Sequence, residues 1–399
     1  KSLYVANGDA DTISVVDVAS HRQTATIPVN RNGSKLVGAN PTGLALSQDG
    51  KRLYVTNSGH NEVAVINAAT RKVIGDIPTG WYPTQVLAHD GKLSITSAKG
   101  LGAGPNNGPG HPNPTDPRDT AENQYSGSMI KGLLSTVSEP DAATLAKLTA
   151  TVEKNNTAND PARSSAVPNQ IGTTSSKIKH VIYIVRENRT FDQELGSNGR
   201  GNADPSLNLF GEESAPNTRA LARQFTTFDN FYADAEVSAN GWNWVSQANS
   251  NPWSEEMWPS NYSGRGAPYP AESNDPDSRA KEHDSYFWEH LSKNNISFRN
   301  YGFYTTLDKK GKAHGVDKKI LDPNTDHDFI GWSLDCPDSA RSFAPMAKNC
   351  GPKSRVDEWK SDFNKQLAKG SVPTVQLVRF GNDHTQATKV GVPTPQAYV

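Results

Sequence analysis

The chain has 399 residues, with 41 Lys and Arg against 42 Asp and Glu, 34% hydrophobic residues, 32 glycines and 26 prolines. The balanced charge predicts neither a nucleic-acid partner nor attraction to an anionic membrane surface. No apolar run approaches the ~18 residues of a membrane span. This composition is typical of a loop-rich globular protein of two or more domains rather than of a helical bundle.

Residues 1–100 contain a repeat. The segments 3–7 and 53–57 both read Leu-Tyr-Val-Xaa-Asn, Pro41-Thr42 recurs as Pro83-Thr84, and Asp49-Gly50 recurs as Asp90-Gly91. The last two offsets, 42 and 41 residues, match the period of a four-stranded propeller blade, and Asp-Gly is a tight hairpin turn. The repeat therefore predicts antiparallel blades of strand, polar turn and strand.

The segment Tyr54-Val55-Thr56-Asn57 resembles the motif of the YVTN β-propeller repeats. A propeller needs about four to eight blades, and 100 residues supply between two and three. We therefore expect an incomplete propeller, with further blades ahead of Lys1, which we take as a processed or truncated end. Exposed blade edges offer a route to self-association. The resemblance implies a scaffold and assigns no chemistry to these residues.

The next stretch links two predicted domains. Residues 101–126 are rich in Gly and Pro, which predicts a loop, and 129–137 suit one more strand. Residues 140–154 predict a helix with Pro140 in its first turn, followed by a polar linker at 155–176. The expected division is blades with their loop at 1–138, helix and linker at 139–176, and an α/β domain at 177–399.

The α/β pattern begins with the apolar run Val181–Val185, which predicts a buried, central strand. Helices are predicted at 217–224, 286–293 and 356–367, strands at 297–301 and 374–380, and the approach to a further strand end at 225–232. Ligands of open α/β sheets bind where the strands end. Glu187 and Asn188 follow the first strand and offer two hard oxygens to a divalent cation, although a solvated loop with a capping Asn188 explains them equally well.

The six residues Glu187-Asn188-Arg189-Thr190-Phe191-Asp192 resemble the signature of the phosphoesterase family, which contains bacterial phospholipases C and acid phosphatases. The resemblance implies an α/β three-layer, alkaline-phosphatase-like domain with Glu187 and Asn188 as ligands of a divalent metal ion of unspecified identity. Residues 381–385 resemble the family's Pro-Asn-Asp-His-Thr segment, with Gly381 in place of Pro. The resemblance implies that Asp383 and His384 complete the metal or phosphate site, and a structural role in a loop is the alternative. The family continues beyond the equivalent of Val399, so we expect this domain to be truncated.

The candidate nucleophile is Ser238. Its setting predicts an N-cap between a strand and a helix, where phosphate binds favourably, and a plain capping serine is the alternative. Relatives with a propeller in front have Ser-Ala-Asp-Gly-His, and this chain departs from them at Asn240 and Trp242. The resemblance implies a nucleophilic Ser238 and a substrate contact at Asn240. Arg265, in another family-like loop, suits phosphate or is simply solvated.

Cys336 and Cys350 lie close together in a loop-like stretch, which favours a disulfide over the alternative of two free thiols. The disulfide would contribute about 3 kcal/mol and indicates a secreted, periplasmic or extracellular protein. The histidines 283, 290 and 327 are predicted to be surface residues. The sequence thus predicts metal-dependent hydrolysis of a phosphate-ester substrate by Ser238. The alternative is an extracellular structural or binding protein that retains an inactive phosphatase fold and assembles through its blades.

Overall fold

The computed structural model describes residues 1–30, 38–102, 130–156, 178–186, 189–213, 215–231, 233–261, 286–331, 338 and 352–381. They belong to two compact units. The first unit comprises Lys1–Val167 and Asn249–Pro268, and the second comprises Pro168–Ala248 and Tyr269–Val399. In the parts of the chain described, no helix combines the length and the apolar character needed to cross a membrane. The predicted division at residues 138 and 176 stays a prediction.

The strands and helices of the described residues are labelled in chain order. The strands are β1 (Ser2–Asn7), β2 (Thr12–Asp17), β3 (Arg22–Pro28), β4 (Pro41–Leu46), β5 (Arg52–Asn57), β6 (Glu62–Asn67), β7 (Lys72–Pro78), β8 (Trp81–His89), β9 (Lys92–Gly100), β10 (Leu133–Ser138), β11 (Val181–Arg186), β12 (Phe298–Tyr301), β13 (Thr305–Leu307), β14 (Ala313–Gly315) and β15 (Val375–Phe380). The helices are α1 (Ala142–Asn155), α2 (Phe191–Leu195), α3 (Pro216–Gln224), α4 (Ser238–Gln247), α5 (Pro252–Asn261), α6 (Phe287–Lys293) and α7 (Arg355–Ala368).

The first unit contains three antiparallel sheets. Strands β4 to β7 form a four-stranded meander in chain order, and the two other sheets have the orders β1-β2-β3 and β8-β9-β10. The prediction of antiparallel blades before residue 100 is therefore confirmed. These sheets form a partial β-propeller.

The middle sheet is buried on both faces. Leu53 and Val55 of β5 share an apolar cluster with Ile13 of the first sheet. Tyr54, between them, points the other way and packs with Ile95 of the third sheet. This alternation is the period-2 pattern of a strand, and it stacks the three sheets face to face.

A repeated turn ties each sheet to the next. Asp11 and Asn61 both adopt the left-handed conformation, with φ of 51° and 55°, which Asp and Asn tolerate better than most residues. The Asp11 carboxylate accepts hydrogen bonds from the N–H groups of Gly38 at 2.8 Å and Asn40 at 3.0 Å. Asn61 Oδ1 accepts from Tyr82 N–H at 2.8 Å. The equivalent residue of two blades thus fixes where the following blade starts.

Helix α1 covers the outer strand of the middle sheet. It begins after Asp141, whose carboxylate caps it, so Pro140 precedes the cap and does not lie in the first turn as predicted. The Thr149 hydroxyl accepts a hydrogen bond from Asp76 N–H of β7 at 2.9 Å. That contact satisfies an edge-strand group that would otherwise be open to another chain. Self-association through blade edges stays a prediction.

Helix α5 returns to the blades from a distant part of the sequence. Asn40 Nδ2 donates to Ser250 O at 3.5 Å. The Lys99 ammonium lies 2.8 Å from Glu255 Oε2, and that carboxylate is almost completely buried. These contacts agree with the assignment of Asn249–Pro268 to the first unit.

The second unit is built on a parallel sheet with the order β11-β15-β12. One face carries Tyr183 and Leu377 in a cluster that also contains Trp242 of α4 and Trp288 of α6. On the opposite face Val378 packs in a separate cluster against residues of α7. The described sheet is therefore covered by helices on both sides.

The prediction that β11 is the buried, central strand is wrong. Val181, Ile182 and Ile184 are 41–49% exposed, and β11 lies at the edge of the described sheet. Every residue of β15 is buried, and β15 occupies the centre. An apolar run shows that a strand is present, but strand order depends on the crossovers, which local sequence does not encode.

The other predicted elements of this unit can be compared directly with the structure. The helices predicted at 217–224, 286–293 and 356–367 are confirmed as α3, α6 and α7, and the strands at 297–301 and 374–380 as β12 and β15. Residues 225–231 contain no strand, contrary to expectation. Cys336 and Cys350 lie outside the described residues, so their disulfide stays a prediction.

Candidate active site

The two strands that precede the predicted metal ligands end at the same edge of the sheet. Arg186, the last residue of β11, is paired with Phe380, the last residue of β15. Glu187 and Asn188 directly follow β11 in the sequence, and Asp383 and His384 come shortly after β15. These four residues and Arg265 lie outside the described part of the chain, so their roles stay predictions.

Helix α4 runs antiparallel to these strands. Val245, near its C-terminal end, accepts a hydrogen bond from the Tyr183 hydroxyl at 3.4 Å, at the middle of β11. Trp242, one turn earlier, stacks on Arg379, whose guanidinium carbon is 4.7 Å from the ring centroid, near the end of β15. With a rise of about 1.5 Å per residue, Ser238 lies about 6 Å further along the helix axis than Trp242. The N-terminus of α4 therefore points toward the edge where β11 and β15 end.

Ser238 is the first helical residue and not the N-cap. Val237 is the cap, with extended backbone at φ −142° and ψ 165°, and no strand precedes it among the described residues 225–231 and 233–237. The expected strand-to-helix junction is therefore wrong. Ser238 is half-buried, and its hydroxyl makes no hydrogen bond within the described residues. The hydroxyl thus has no capping role there.

Asn240 takes over the capping instead. Its Oδ1 accepts a hydrogen bond from Val237 N–H at 3.3 Å, which satisfies one of the donors that a helix start leaves open. Its Nδ2 donates to Glu236 Oε2 at 3.1 Å. The side chain is 1% exposed. Both ends of the carboxamide are therefore used within the protein, and the predicted substrate contact at Asn240 remains untested.

Trp242 is a core residue. It is 4% exposed and packs edge-to-face on Phe303 at 5.2 Å and on Tyr304 at 6.3 Å between ring centroids. Edge-to-face pairs place the positive edge of one ring on the negative face of the other. The tryptophan anchors α4 to the sheet, at the position where the resembling relatives have a histidine.

Part of the family-like signature also has a structural explanation. Thr190 caps α2 by accepting from Gln193 N–H, and Gln193 Oε1 accepts from Thr190 N–H in return, each at 3.2 Å. Asp192 Oδ1 accepts from Asp204 N–H at 2.9 Å. Capping and loop closure therefore account for Thr190 and Asp192, while the metal-binding roles of Glu187 and Asn188 stay predictions.

Two arginines lie at or next to the ends of the neighbouring strands: Arg186 is the last residue of β11, and Arg379 precedes the last residue of β15. Arg186 Nη1 donates to Thr218 Oγ1 at 2.9 Å, and Arg379 is 1% exposed beneath Trp242. Burial raises the pKa of Tyr183, so its hydroxyl stays a neutral donor toward α4. Sequence reasoning did not single out Arg379, although a cation inside the apolar run 375–380 was a visible signal. Arg186 also lies 4.0 Å from Glu194 Oε2, so both arginines interact within the protein, and the feature of this edge that favours anions is the helix N-terminus.

No protein-family model and no curated protein matches the chain. Solved structures with local similarity include the hydrazine synthase of Kuenenia stuttgartiensis (20% identity, TM-score 0.22, 24% of this chain and 26% of that chain). U3-55K has 20% identity and a TM-score of 0.21 over 25% of this chain and 30% of that chain. The β-propeller domain of Cps50 (Swd1) from Myceliophteria thermophila has 15% identity and a TM-score of 0.20 over 24% and 35%.

The chain spans about a quarter to a third of the length of these proteins. Similarity of this extent carries no argument about function. The assignment of blades rests on the antiparallel pairing and the stacked faces of the first unit.

Proposed function

We propose that the protein hydrolyses a phosphate ester with a divalent metal ion and Ser238 as the nucleophile, as the resemblance to the phosphoesterase family implies. The observation that supports this best is the direction of α4. Its N-terminus points toward the edge where β11 and β15 end, and the candidate ligands follow these strands in the sequence. The phosphoesterase-type domain, the YVTN-type repeats and secretion are parts of the same proposal.

The residues of the chain fit the chemistry. Glu187, Asn188, Asp383 and His384 would hold the ion, since carboxylate, carboxamide and imidazole suit a divalent metal. When bound, such an ion supplies charge neutralisation and lowers the pKa of a coordinated hydroxyl. Ser238 would attack phosphorus through its hydroxyl oxygen, giving up its proton, while the P–O bond to the ester alcohol breaks and the alcohol leaves with a proton. Water would then cleave the seryl phosphate to release phosphate and restore the serine. The first N–H groups of α4 would bind the phosphoryl oxygens.

A second function is favoured by the environment of Asn240 and Trp242. Both positions depart from the resembling relatives, and both side chains serve the fold, one as a cap and one as core. A protein that retained this fold without turnover could lose the aspartate and histidine of the resembling relatives in this way. It would act as an extracellular structural or binding protein.

Phosphatase and phosphodiesterase assays on the intact protein separate the two functions. We expect p-nitrophenyl phosphate or its bis ester to be hydrolysed in the presence of Zn²⁺, Mn²⁺ or Ca²⁺, and Ser238→Ala to reduce kcat at least ~10³-fold. Ser292→Ala, at an exposed serine of α6, is the matched control and should keep full activity. Thermal unfolding checks that both variants fold.

Equal kcat in the wild type and in Ser238→Ala would disprove the nucleophile. Turnover no faster than buffer with every metal, in a protein that unfolds cooperatively, would support the structural or binding function instead.

A further inference from the structure

A cluster of two histidines and two aspartates surrounds the β13–β14 hairpin of the second unit. His314 lies in β14, Asp308 in the hairpin turn, Asp322 at the start of a short 3-10 turn, and His327 shortly after that turn. One ligand atom each of His314, Asp322 and His327 lies within 4.8 Å of the others. None of these residues belongs to the proposed phosphoesterase site.

A backbone contact selects the tautomer of the neutral His327 ring. Its Nδ1 lies 2.7 Å from the Ala313 carbonyl oxygen, which accepts only, so Nδ1 carries the proton. Nε2 therefore bears the lone pair, and no described residue bonds to it. Histidines that bind metals commonly donate their other N–H to a backbone carbonyl in this way.

His314 sits between the two carboxylates. Its Nδ1 is 3.2 Å from Asp322 Oδ1, and its Nε2 is 3.6 Å from Asp308 Oδ2. The rings of His314 and His327 are 4.6 Å apart between centroids. Ligand atoms of one tetrahedral zinc ion lie about 3.3 Å apart. The first of these separations already has that length, and side-chain rotation can close the others.

Backbone groups orient both carboxylates. Asp322 Oδ1 accepts from Gly315 N–H at 2.7 Å. Asp308 Oδ1 accepts from the N–H groups of Lys310 and Lys312 at 2.8 and 2.9 Å. These bonds hold the acidic groups beside the imidazoles. Asp308 keeps its Oδ2 for a metal ion, and Asp322 Oδ1 keeps a second lone pair.

The charges and the donor types select the kind of ion. Two carboxylates balance a divalent cation, and two imidazole nitrogens favour Zn²⁺, Ni²⁺ or Cu²⁺ over the oxygen-seeking Ca²⁺ and Mg²⁺. Lys318 lies 3.6 Å from Asp322 Oδ2 and competes with an ion, but its side chain is 63% exposed and can swing into solvent.

We propose that His314, Asp322 and His327, with Asp308 as a fourth group, bind one divalent transition-metal ion of the zinc class. The ion would crosslink β14 to the segment that follows the 3-10 turn. This site is separate from the proposed phosphoesterase site, and the proposal does not depend on the proposed function.

Zn²⁺ titration of the chelator-treated 399-residue chain tests the proposed metal site. To remove the other proposed metal site, the titration is done in a Glu187→Gln/His384→Ala background. We expect one equivalent of Zn²⁺ to bind, Ca²⁺ not to compete, and bound Co²⁺ to show the visible absorption of nitrogen ligation. His327→Asn keeps a donor for Ala313 O but deletes Nε2, and Asp322→Asn keeps an acceptor for Gly315 N–H. Each should weaken binding at least ~10-fold.

His89→Ala is the matched control. His89 Nε2 also contacts a carboxylate, Asp90 Oδ2, at 3.2 Å, but His89 belongs to neither group of possible metal ligands among the described residues. It should bind Zn²⁺ like its parent. Unchanged affinity in both His327→Asn and Asp322→Asn would overturn the proposal, as would equal weakening by His89→Ala. A variant that loses binding must also retain the cooperative unfolding of its parent.

Discussion

The middle sheet of the first unit and the parallel sheet of the second unit bury their apolar residues by different routes. Strands β4 to β7 are covered on each face by a neighbouring sheet with the same antiparallel pattern. In the second unit helices cover β15 on both faces, while β11 stays half exposed. A sequence repeat indicates what covers each sheet, because each copy packs against the next. A parallel sheet is covered by crossover segments whose placement no single strand encodes.

The largest expected effect compares one buried leucine in each sheet. Leu53 is 1% exposed between the first and second sheets, and Leu377 is 0% exposed in β15. We expect Leu53→Ala and Leu377→Ala each to lower the free energy of unfolding by about 2–5 kcal/mol, because each removes packed methyl groups and leaves a cavity. Differential scanning calorimetry should show Leu53→Ala shifting the transition of the first unit and Leu377→Ala that of the second.

Exposed leucines supply the controls. Leu87 is 63% exposed in the first unit and Leu221 is 58% exposed in the second, so their alanine variants should change the free energy of unfolding by no more than about 0.5 kcal/mol. Two outcomes would contradict the burial described here. One is a loss of unfolding free energy in Leu53→Ala no larger than in Leu87→Ala, and the other is the same result for Leu377→Ala and Leu221→Ala.

The fold of the first unit was largely predictable, and that of the second only in part. The repeated Asp-Gly segments at 49–50 and 90–91 located two blade turns because turn conformations demand particular residues. In the second unit the strands at Val181 and Val375 were located, but their order β11-β15-β12 was not. Order is set by long-range packing, which short apolar runs do not carry.

The candidate site was predictable as a set of segments but not in its local geometry. Ser238 was expected to be the N-cap, yet Val237 holds that position because Asn240 accepts its N–H. Serine is a better capping residue than valine, so propensity alone favoured the wrong position. The core role of Trp242 depends on contacts with Phe303 and Arg379, more than sixty residues away.

An intermediate effect compares two glycines that leave no space for a methyl group. A Cβ on Gly75 would lie 2.6 Å from Leu145 Cγ, a side chain of α1. A Cβ on Gly331 would lie 2.4 Å from Gly302 Cα, a backbone atom. We expect Gly75→Ala to cost about 1–3 kcal/mol in the free energy of unfolding. Gly331→Ala should cost more, since the backbone yields less than a side chain. Urea denaturation measures both.

A second substitution tests whether the Leu145 side chain is the obstacle at Gly75. Adding Leu145→Ala to Gly75→Ala should make the cost of the glycine change smaller than in the parent, because the nearer of two obstructing side chains is removed. Part of the cost should remain, because Thr149 Oγ1 would still lie 2.7 Å from the new Cβ. Gly211→Ala, which meets nothing within 4 Å, should be nearly neutral. Additive costs of Gly75→Ala and Leu145→Ala would contradict the contact between β7 and α1.

The smallest effect compares two Ser–Asp turns. The hydroxyl of Ser47 donates to Asp49 at 2.7 Å and Lys51 N–H donates at 3.0 Å, which together lower the pKa of Asp49 from its ordinary 3.8 to about 2. In the second unit Ser206 donates its hydroxyl and N–H to Asp204 at 2.6 and 2.9 Å, which also lowers the pKa of Asp204.

A carboxyl pKa that is lower in the folded state stabilises the fold at pH values above the unfolded-state pKa, and this contribution disappears as the pH falls through the folded-state pKa. We therefore expect both turns to lose stability below about pH 4, by a small amount because the carboxylates are exposed.

Ser47→Ala and Ser206→Ala should each raise the pKa of the neighbouring aspartate and flatten the pH dependence of unfolding between about pH 4 and pH 2. Carboxyl-carbon NMR titration measures this directly. An Asp49 that titrated at its ordinary value in the wild type, unmoved by Ser47→Ala, would show that the turn of the repeat is not held by its serine.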